Sequence, residues 1–441
     1  MAAQAKQVRG EIPGSGRAQV LHVPIDTAEI LFGWKKFYEE RREKYQSNVF
    51  RTAVGFPAIT ILDNRGFRAL FDVSLVKKVH TFGLVTPRRE LVGVVPTIST
   101  NAPAHDGQKA FILEWLRRSA TRLLPSLQAA TEPYLAAWEK ALPEDWEADA
   151  DAILSNALFD FFLGAHPNVS DLEDWVSDVL VIFPFDGPQL PASHKSVAGR
   201  DRMLAAMMAA PHFEEAAALG ASMAGLSRDE TAHHLLFYIG FNAWTGIRGT
   251  WRSLMAEVGS RPDTQARLHA EAAGAADPGW PSFQSLAGME VTRGCLNETL
   301  RLHGPVPFAY GEALKDFHID SSSGLFPVRT GEVLQGVFLM AGRDPDVFPN
   351  PDEFDPLRYR DPVQGEGLIW ANGLGTSQPT AQNKMCAGRD IVNLILTLFT
   401  ARLASQYRFE LTETPEWDFK NIVPANTPKH KLALKSFQRI G

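Results

Sequence analysis

The chain has 441 residues, 45% of them hydrophobic and 22% charged, a composition that builds a core large enough to enclose a cofactor and excludes a disordered chain. Lys and Arg number 44 against 51 Asp and Glu, a net charge of −7 with the signs interspersed, which argues against nucleic acid as the main partner. Only two cysteines occur, Cys295 and Cys386, so no disulfide framework exists and a reducing, cytoplasmic compartment is expected.

No linker-like stretch divides the chain. A single domain over 17–441 is therefore expected, preceded by a flexible segment over 1–16. No run of about 18 apolar residues appears, so no membrane-spanning helix is predicted. From Gln19 to Lys78 short apolar runs alternate with turn signals, as in AVGFPAITILDNRGF, which predicts a small β-rich region with a turn at Asp63-Asn64-Arg65-Gly66.

A helix is predicted from about His105 to Leu124, with His105 and Lys109 one turn apart on one face. Two donors so placed suit an anionic group, and equally suit a solvated helix face. Glu132 to Ala218 reads as alanine-rich helix with two breaks. Ser227 and Glu230 then form a capping box that opens a helix running to about Val258.

The middle of that helix, FYIGFNAWTGIRG, is unusual. Gly240, Gly246 and Gly249 each cost about 1 kcal/mol relative to alanine in a helix interior. Asn242 is a polar amide among Ile239, Phe241 and Trp244, and an amide in such company needs a hydrogen-bond partner. Tight helix packing explains the glycines alone; a ligand pocket explains both glycines and amide.

A further helix spans about Phe283 to Leu302 and puts Glu298 and Arg301 one turn apart. Alternating segments after it predict hairpin strands, followed by a Pro/Asp-rich stretch containing Arg358. The stretch WANGLGTSQPTAQNKMCAGRD then brings Cys386 to the start of a helix predicted from Ala387 to about Leu403. A cysteine there is favoured as thiolate by the helix dipole and free backbone N–H groups, and a haem-thiolate iron is one metal that a single cysteine can satisfy. Cys295, upstream of Glu298 on its helix, reads as core packing.

Glu298-Thr-Leu-Arg301 as an E-x-x-R motif, the arginine of FDPLRY, and Cys386 in Cys-Ala-Gly at the head of the last long helix, in that order, resemble the cytochrome P450 superfamily. The resemblance implies a mainly α fold with small β-sheets, a haem b whose iron is ligated by the Cys386 thiolate, and a structural ion network of Glu298, Arg301 and Arg358. Two departures separate the chain from an ordinary monooxygenase. Gly373 precedes Cys386 by thirteen residues where the common haem loop has four, and Thr245 lacks the acid that would precede it in an oxygen-activating helix.

Both departures are similar to one branch, the family 74 group of allene oxide synthases, hydroperoxide lyases, divinyl ether synthases and epoxyalcohol synthases. PTAQNKMCAGRD, NETLRLHGPVPFAYG and LLFYIGFNAWTG carry that likeness, which covers nearly the whole chain. It implies an enzyme that converts polyunsaturated fatty acid hydroperoxides without O₂ or a reductase. Asn242 is then the catalytic residue, His105, Lys109 and Lys384 join Cys386 as cofactor-binding residues, and Phe241, Ala243, Trp244 and Phe82 line the substrate pocket.

The sequence departs from the branch where a common Tyr-Gly-Arg reads Tyr310-Gly311-Glu312, so that a propionate contact is lost or passes to Lys315. Among products an allene oxide is the first expectation, with an epoxyalcohol or chain cleavage as alternatives. A reductase-dependent monooxygenase, a hydrogen-peroxide-driven peroxygenase and a non-catalytic haem sensor are the readings outside the branch. Contact with a membrane surface is open to an enzyme with a lipid substrate.

Overall fold

Glycine, proline and short polar residues punctuate the chain into many helices and short strands. The computed structural model describes residues 11–14, 21–80, 85–181, 189–274, 279–361, 364, 367, 369, 378–419 and 427–440. In chain order the elements begin with α1 (Val23–Phe32), α2 (Trp34–Tyr45), β1 (Val49–Thr52), β2 (Ala58–Ile61), α3 (Asn64–Phe71), β3 (Val76–Lys77), β4 (Thr86–Pro87) and α4 (Arg89–Val92). A helical body follows: α5 (Ala104–Ser119), α6 (Leu123–Lys140), α7 (Trp146–Leu163), α8 (Val169–Val176), β5 (Leu180–Val181), α9 (His194–Met208), α10 (Phe213–Ala224) and α11 (Arg228–Leu236). A π-helical segment, Phe237–Thr245, joins α11 to α12 (Gly246–Gly259). Next come α13 (Pro262–Ala273), α14 (Phe283–Leu286), α15 (Glu290–His303), β6 (Phe308–Ala313), β7 (Phe317–Ser321), β8 (Gly324–Val328), β9 (Val333–Val337) and α16 (Phe338–Ala341). The chain closes with α17 (Arg389–Gln406), β10 (Tyr407–Leu411) and β11 (Leu434–Arg439).

One apolar core runs through the helices, with Trp115, Phe159, Trp244, Trp251, Leu300 and Phe399 among its members. A mixed sheet of order β1-β2-β9-β6-β3 lies apart from it, flanked by two smaller apolar clusters. The β2–β9 pair is parallel and the other pairs of this sheet are antiparallel. The chain is thus mainly α with small sheets, as the sequence pattern implies.

Several boundaries differ from the sequence reading for local reasons. Asp63 does not make a plain turn; its carboxylate accepts from the Gly66 N–H and caps α3. The helix predicted over Phe283–Leu302 breaks between α14 and α15, and the last helix begins at Arg389 rather than Ala387. Within the stretch assigned to a flexible start, Ile12 is buried and the Gly14 backbone bridges to Arg51. The Ser227–Glu230 capping box forms in both directions.

Glu298, Arg301 and Arg358 come together in full burial. Arg301 grips the Glu298 carboxylate with two nitrogens at 2.6 and 2.7 Å, Arg358 Nε lies 3.3 Å from it, and the Tyr359 hydroxyl and Asp355 N–H donate to the same two oxygens. Both guanidinium groups spend their remaining N–H groups on main-chain carbonyls of residues 342–353. Gly342 is one of these carbonyls, and a side chain there would meet the Arg301 carbonyl at 2.7 Å. Replacing Glu298 with Gln would leave two buried cations short of an anion, a loss expected to cost about 3–5 kcal/mol. Urea unfolding of Glu298→Gln against the parent checks this; an unchanged midpoint would remove the network from the stability of the fold.

Candidate active site

Cys386 sits three residues before Arg389, the first residue of α17, where backbone N–H groups have no helical partner. The N–H groups of Gly388 and Arg389 point at its sulfur and, with Lys109, favour the thiolate. Burial opposes them and is the stronger influence, so the thiol is held above its ordinary range. The helix terminus alone does not make this sulfur a thiolate; a bound cation would have to. The side chain is deep in the protein yet reachable by water, because it opens on an internal cavity.

That cavity measures about 630 Å³ and is lined mainly by apolar groups such as Phe241, Leu300, Phe338 and Val392, with Cys386 in one wall and Asn242 and Thr245 in another. Asn242 comes from the π-helical segment. Among the described residues its amide has no hydrogen-bond partner, so the group that the sequence says must be paired is left facing the cavity. Gly246 and Gly249 line the cavity as well, whereas Gly240 faces α8, where a Cβ would lie 2.8 Å from Leu172 and Trp175. The Thr245 hydroxyl is spent on the Phe241 carbonyl.

Three expected pocket residues fare differently. Phe241 lines the cavity. Ala243 does not; it packs against the helical core. Trp244 does not either: it is fully buried, and its indole N–H donates to the main-chain carbonyl of Asp151 in α7 at 2.9 Å. A π-helical turn rotates successive side chains differently from an α-helical one, which turns residue 244 out of the pocket wall. Phe82 lies outside the described residues.

Around the sulfur lies a set of buried cations. Lys109 donates to the main-chain and side-chain oxygens of Asn383, and His105 contacts Asp106 at 2.8 Å. Burial lowers Lys109 to about 8 and also pulls His105 down. Lys384, expected to hold the cofactor, instead donates to the carbonyls of Leu70 and Val76, both at 3.0 Å, and so ties the loop before Cys386 to the small sheet. Burial lowers it to about 7. Glu312 pairs with Lys77 at 2.7 Å.

Lys78 was not anticipated from the sequence. Burial lowers it to about 8, the Asp106 carboxylate and then the Cys386 sulfur offset part of this, and among the described residues no carboxylate comes within ion-pair distance. A sequence offers no cue to this: Lys77 and Lys78 are adjacent, and only tertiary packing buries the second. Ammonium groups kept in low dielectric without an anion are costly unless a ligand supplies the charge. A flat dianionic cofactor meets that need: a haem has an iron for the sulfur, carboxylates for the cations and apolar faces for the cavity walls. The donor set therefore fits haem. Cys295, the other cysteine, is sealed in the core with its thiol pushed up by burial, which leaves Cys386 as the iron ligand.

Two further residues of the cavity wall are Arg248 and Arg252, one turn apart on α12. Asp151 joins them, at 3.5 Å from Arg248 and 2.7 Å from Arg252, and Glu147 lies 3.2 Å from Arg252. Burial raises the Asp151 carboxyl and lowers the Arg248 guanidinium. The arginines share one face in IRGTWR, but their acidic partners lie some hundred positions away and no local pattern announces them.

The family model of cytochrome P450 matches residues 249–434. By structure, the retinoic acid-bound cyanobacterial CYP120A1 superposes with a TM-score of 0.72 at 20% identity, covering 92% of this chain and 94% of that one. In sequence and in fold the chain is similar to cytochromes P450. By sequence it is similar to the family 74 branch: it is 29% identical to the allene oxide synthase CYP74A2 of Parthenium argentatum, over 92% of this chain and 95% of that protein. It is also 27% identical to the 9-divinyl ether synthase of Capsicum annuum, with coverage of 93% and 95%. To the chloroplastic linolenate hydroperoxide lyase of Arabidopsis thaliana it is 29% identical, with 85% of each chain covered. Haem is the cofactor of this P450, held through a cysteine thiolate. No helix among the described residues is long and apolar enough to cross a membrane.

Lys78→Met is expected to lower haem retention, by about tenfold in dissociation constant if the ammonium gives one charge-assisted bond worth about 1.5 kcal/mol. Haem transfer to an acceptor protein measures it; an unchanged transfer rate would show that the cofactor does not use Lys78.

Proposed function

We propose that this P450 converts polyunsaturated fatty acid hydroperoxides without dioxygen or a reductase, with dehydration to an allene oxide as its main reaction. The observation that carries the reading is Asn242, an amide without a protein partner in the cavity that also holds the Cys386 sulfur. An amide can donate to one hydroperoxide oxygen and accept from the O–H, which orients the O–O bond without titrating. The plant relatives named as allene oxide synthase, divinyl ether synthase and hydroperoxide lyase support the substrate class.

The bound haem supplies an iron centre at which a peroxide O–O bond can be broken. This chain's residues do the rest. Asn242 holds the peroxide end, and the apolar wall around Phe241 and Phe338 excludes water from the reacting carbons. In the dehydration the distal oxygen leaves as water with its own hydrogen and one from the substrate chain, while the retained oxygen closes an epoxide. No electrons are needed from outside. An epoxyalcohol keeps both oxygens and is an isomer of the substrate; a lyase product follows from carbon–carbon cleavage. Ala243, smaller than a pocket-filling residue and turned to the core, does not select among these outcomes.

Thr245 supports the reading against an oxygen-activating monooxygenase. No acid precedes it, and its hydroxyl is bonded to the helix backbone, so this turn offers no obvious acid–alcohol proton relay. The guanidinium groups of Arg248 and Arg252 suit the carboxylate of a fatty acid. A cytoplasmic enzyme touching a membrane surface fits the lipid substrate; the Arabidopsis relatives are named as chloroplastic.

Purified holoenzyme is expected to bleach the conjugated-diene absorbance of a linoleate or linolenate hydroperoxide with no electron donor added, and persistence of that absorbance would sink the proposal. Asn242→Ala should slow the reaction roughly tenfold or more, about 1.4 kcal/mol of transition-state stabilisation, with haem content intact. Mass spectrometry of products from defined regioisomers separates allene oxide-derived ketols from epoxyalcohols and aldehydes. Arg248→Leu should raise KM for the free acid by about tenfold and leave the methyl ester nearly unaffected, as expected for one lost charge-assisted contact. Equal effects on acid and ester would remove the carboxylate contact.

A further inference from the structure

The π-helical segment Phe237–Thr245 is where the long helix departs from α geometry, and it carries Asn242. Such wide turns exchange i to i−4 hydrogen bonds for i to i−5 ones and occur mostly as short interruptions at functional sites, so contacts from outside the helix help to fix where they form. Two side chains of the segment reach other elements with a polar atom. At its start the Tyr238 hydroxyl bonds Thr97. At its end the Trp244 indole N–H donates to the Asp151 carbonyl at 2.9 Å.

The second tie is reinforced. The Asp151 carboxylate holds Arg252 and Arg248, and the Arg248 guanidinium lies 4.4 Å from the centre of the Trp244 ring. One residue of α7 thereby grips the helix on both sides of the point where π geometry returns to α. One turn earlier Gly240 lies so close to Leu172 and Trp175 that the segment has little room to move toward α8.

We propose that Trp244 is a positioning residue for Asn242: the indole N–H on the Asp151 carbonyl fixes the wide turn from which the Asn242 amide faces the cavity. This rests on the reading that Asn242 orients the hydroperoxide. A tryptophan that only fills core would act through volume and be indifferent to its N–H. Trp251 provides that comparison within the same molecule, because it is equally buried on α12 and its indole nitrogen has no hydrogen-bond partner among the described residues.

The test compares holoenzymes carrying Trp244→Phe and Trp251→Phe. Hydrogen–deuterium exchange of the peptide spanning 237–245 is expected to speed up several-fold in Trp244→Phe and to stay near the parent in Trp251→Phe. Hydroperoxide turnover should fall about tenfold in kcat with KM little changed for Trp244→Phe, and the same substitution on an Asn242→Ala background should cost almost nothing more, because both losses run through one group. Equal effects of the two tryptophan variants, or full additivity with Asn242→Ala, overturns the proposal. Where phenylalanine fails to fold, 3-benzothienylalanine at position 244 keeps the ring shape and lacks only the N–H, and it must reproduce the same exchange and kcat changes. Failure of the parent to consume hydroperoxide would sink the function, whereas unchanged exchange at 237–245 sinks the inference even with a fast parent enzyme.

Discussion

A carboxylate with no water around it can be kept only if every lone pair is used, and Glu298 meets that condition. Two guanidinium groups, a phenol and a main-chain N–H converge on its two oxygens, and the same guanidinium groups reach out to carbonyls of the irregular stretch between α16 and Arg358. Irregular backbone normally stays at the surface because its polar groups need water. Here the arginines replace that water, so a chain without regular structure can be pressed against α15 and lead into the loop that delivers Cys386. The start of α17 and the bonds of Lys109 and Lys384 to and from the residues just before Cys386 then complete the support of the sulfur.

The electrostatics around the sulfur point in one direction. Burial disfavours the thiolate at Cys386 and also disfavours the ammonium groups of Lys78, Lys109 and Lys384, although these charges have opposite sign and lie near one another. Charges that should neutralise each other do not, because each is separately desolvated. A haem resolves both sides at once, with the iron favouring the thiolate and the propionates favouring the ammonium groups. Lys384 shows that proximity is not enough. Two of its three N–H groups go to carbonyls, so it braces the loop before Cys386 to the small sheet.

What was legible in the sequence was what lies close along the chain. Glu298 and Arg301 are one turn apart, Ser227 and Glu230 define a helix start, and Cys386 immediately precedes an apolar-periodic run, so each reads out through helical spacing. Asn242 was legible as an anomaly, a polar amide in apolar company. The illegible part depends on tertiary contact. Periodicity predicts an α-helix through residue 258, and the family resemblance puts Trp244 in the pocket wall; in the structure a π-helical stretch intervenes and Trp244 bonds Asp151, 93 positions earlier, outside the cavity lining. Lys78 and Lys384 look alike as sequence, and only packing shows that Lys384 donates to two carbonyls while Lys78 is buried near the Cys386 sulfur.

The same long helix explains how an oxygen-activating fold could be turned to another use. Splitting dioxygen requires protons delivered to the distal oxygen at a set moment, and therefore an acid and an alcohol exposed in the cavity. A hydroperoxide arrives with its O–O bond formed and its oxidising equivalents present, so what is required is orientation and the exclusion of water. In the proposed reaction the uncharged amide at 242 meets that lesser demand, while the Thr245 hydroxyl is bonded to its own backbone. A proton relay left exposed in such a cavity would offer water and acid to reactive products, whose survival depends on a dry wall. The loss of the acid is then more than the decay of an unused part. Under the proposed dehydration, it removes a polar group from the place where an epoxide must last long enough to leave.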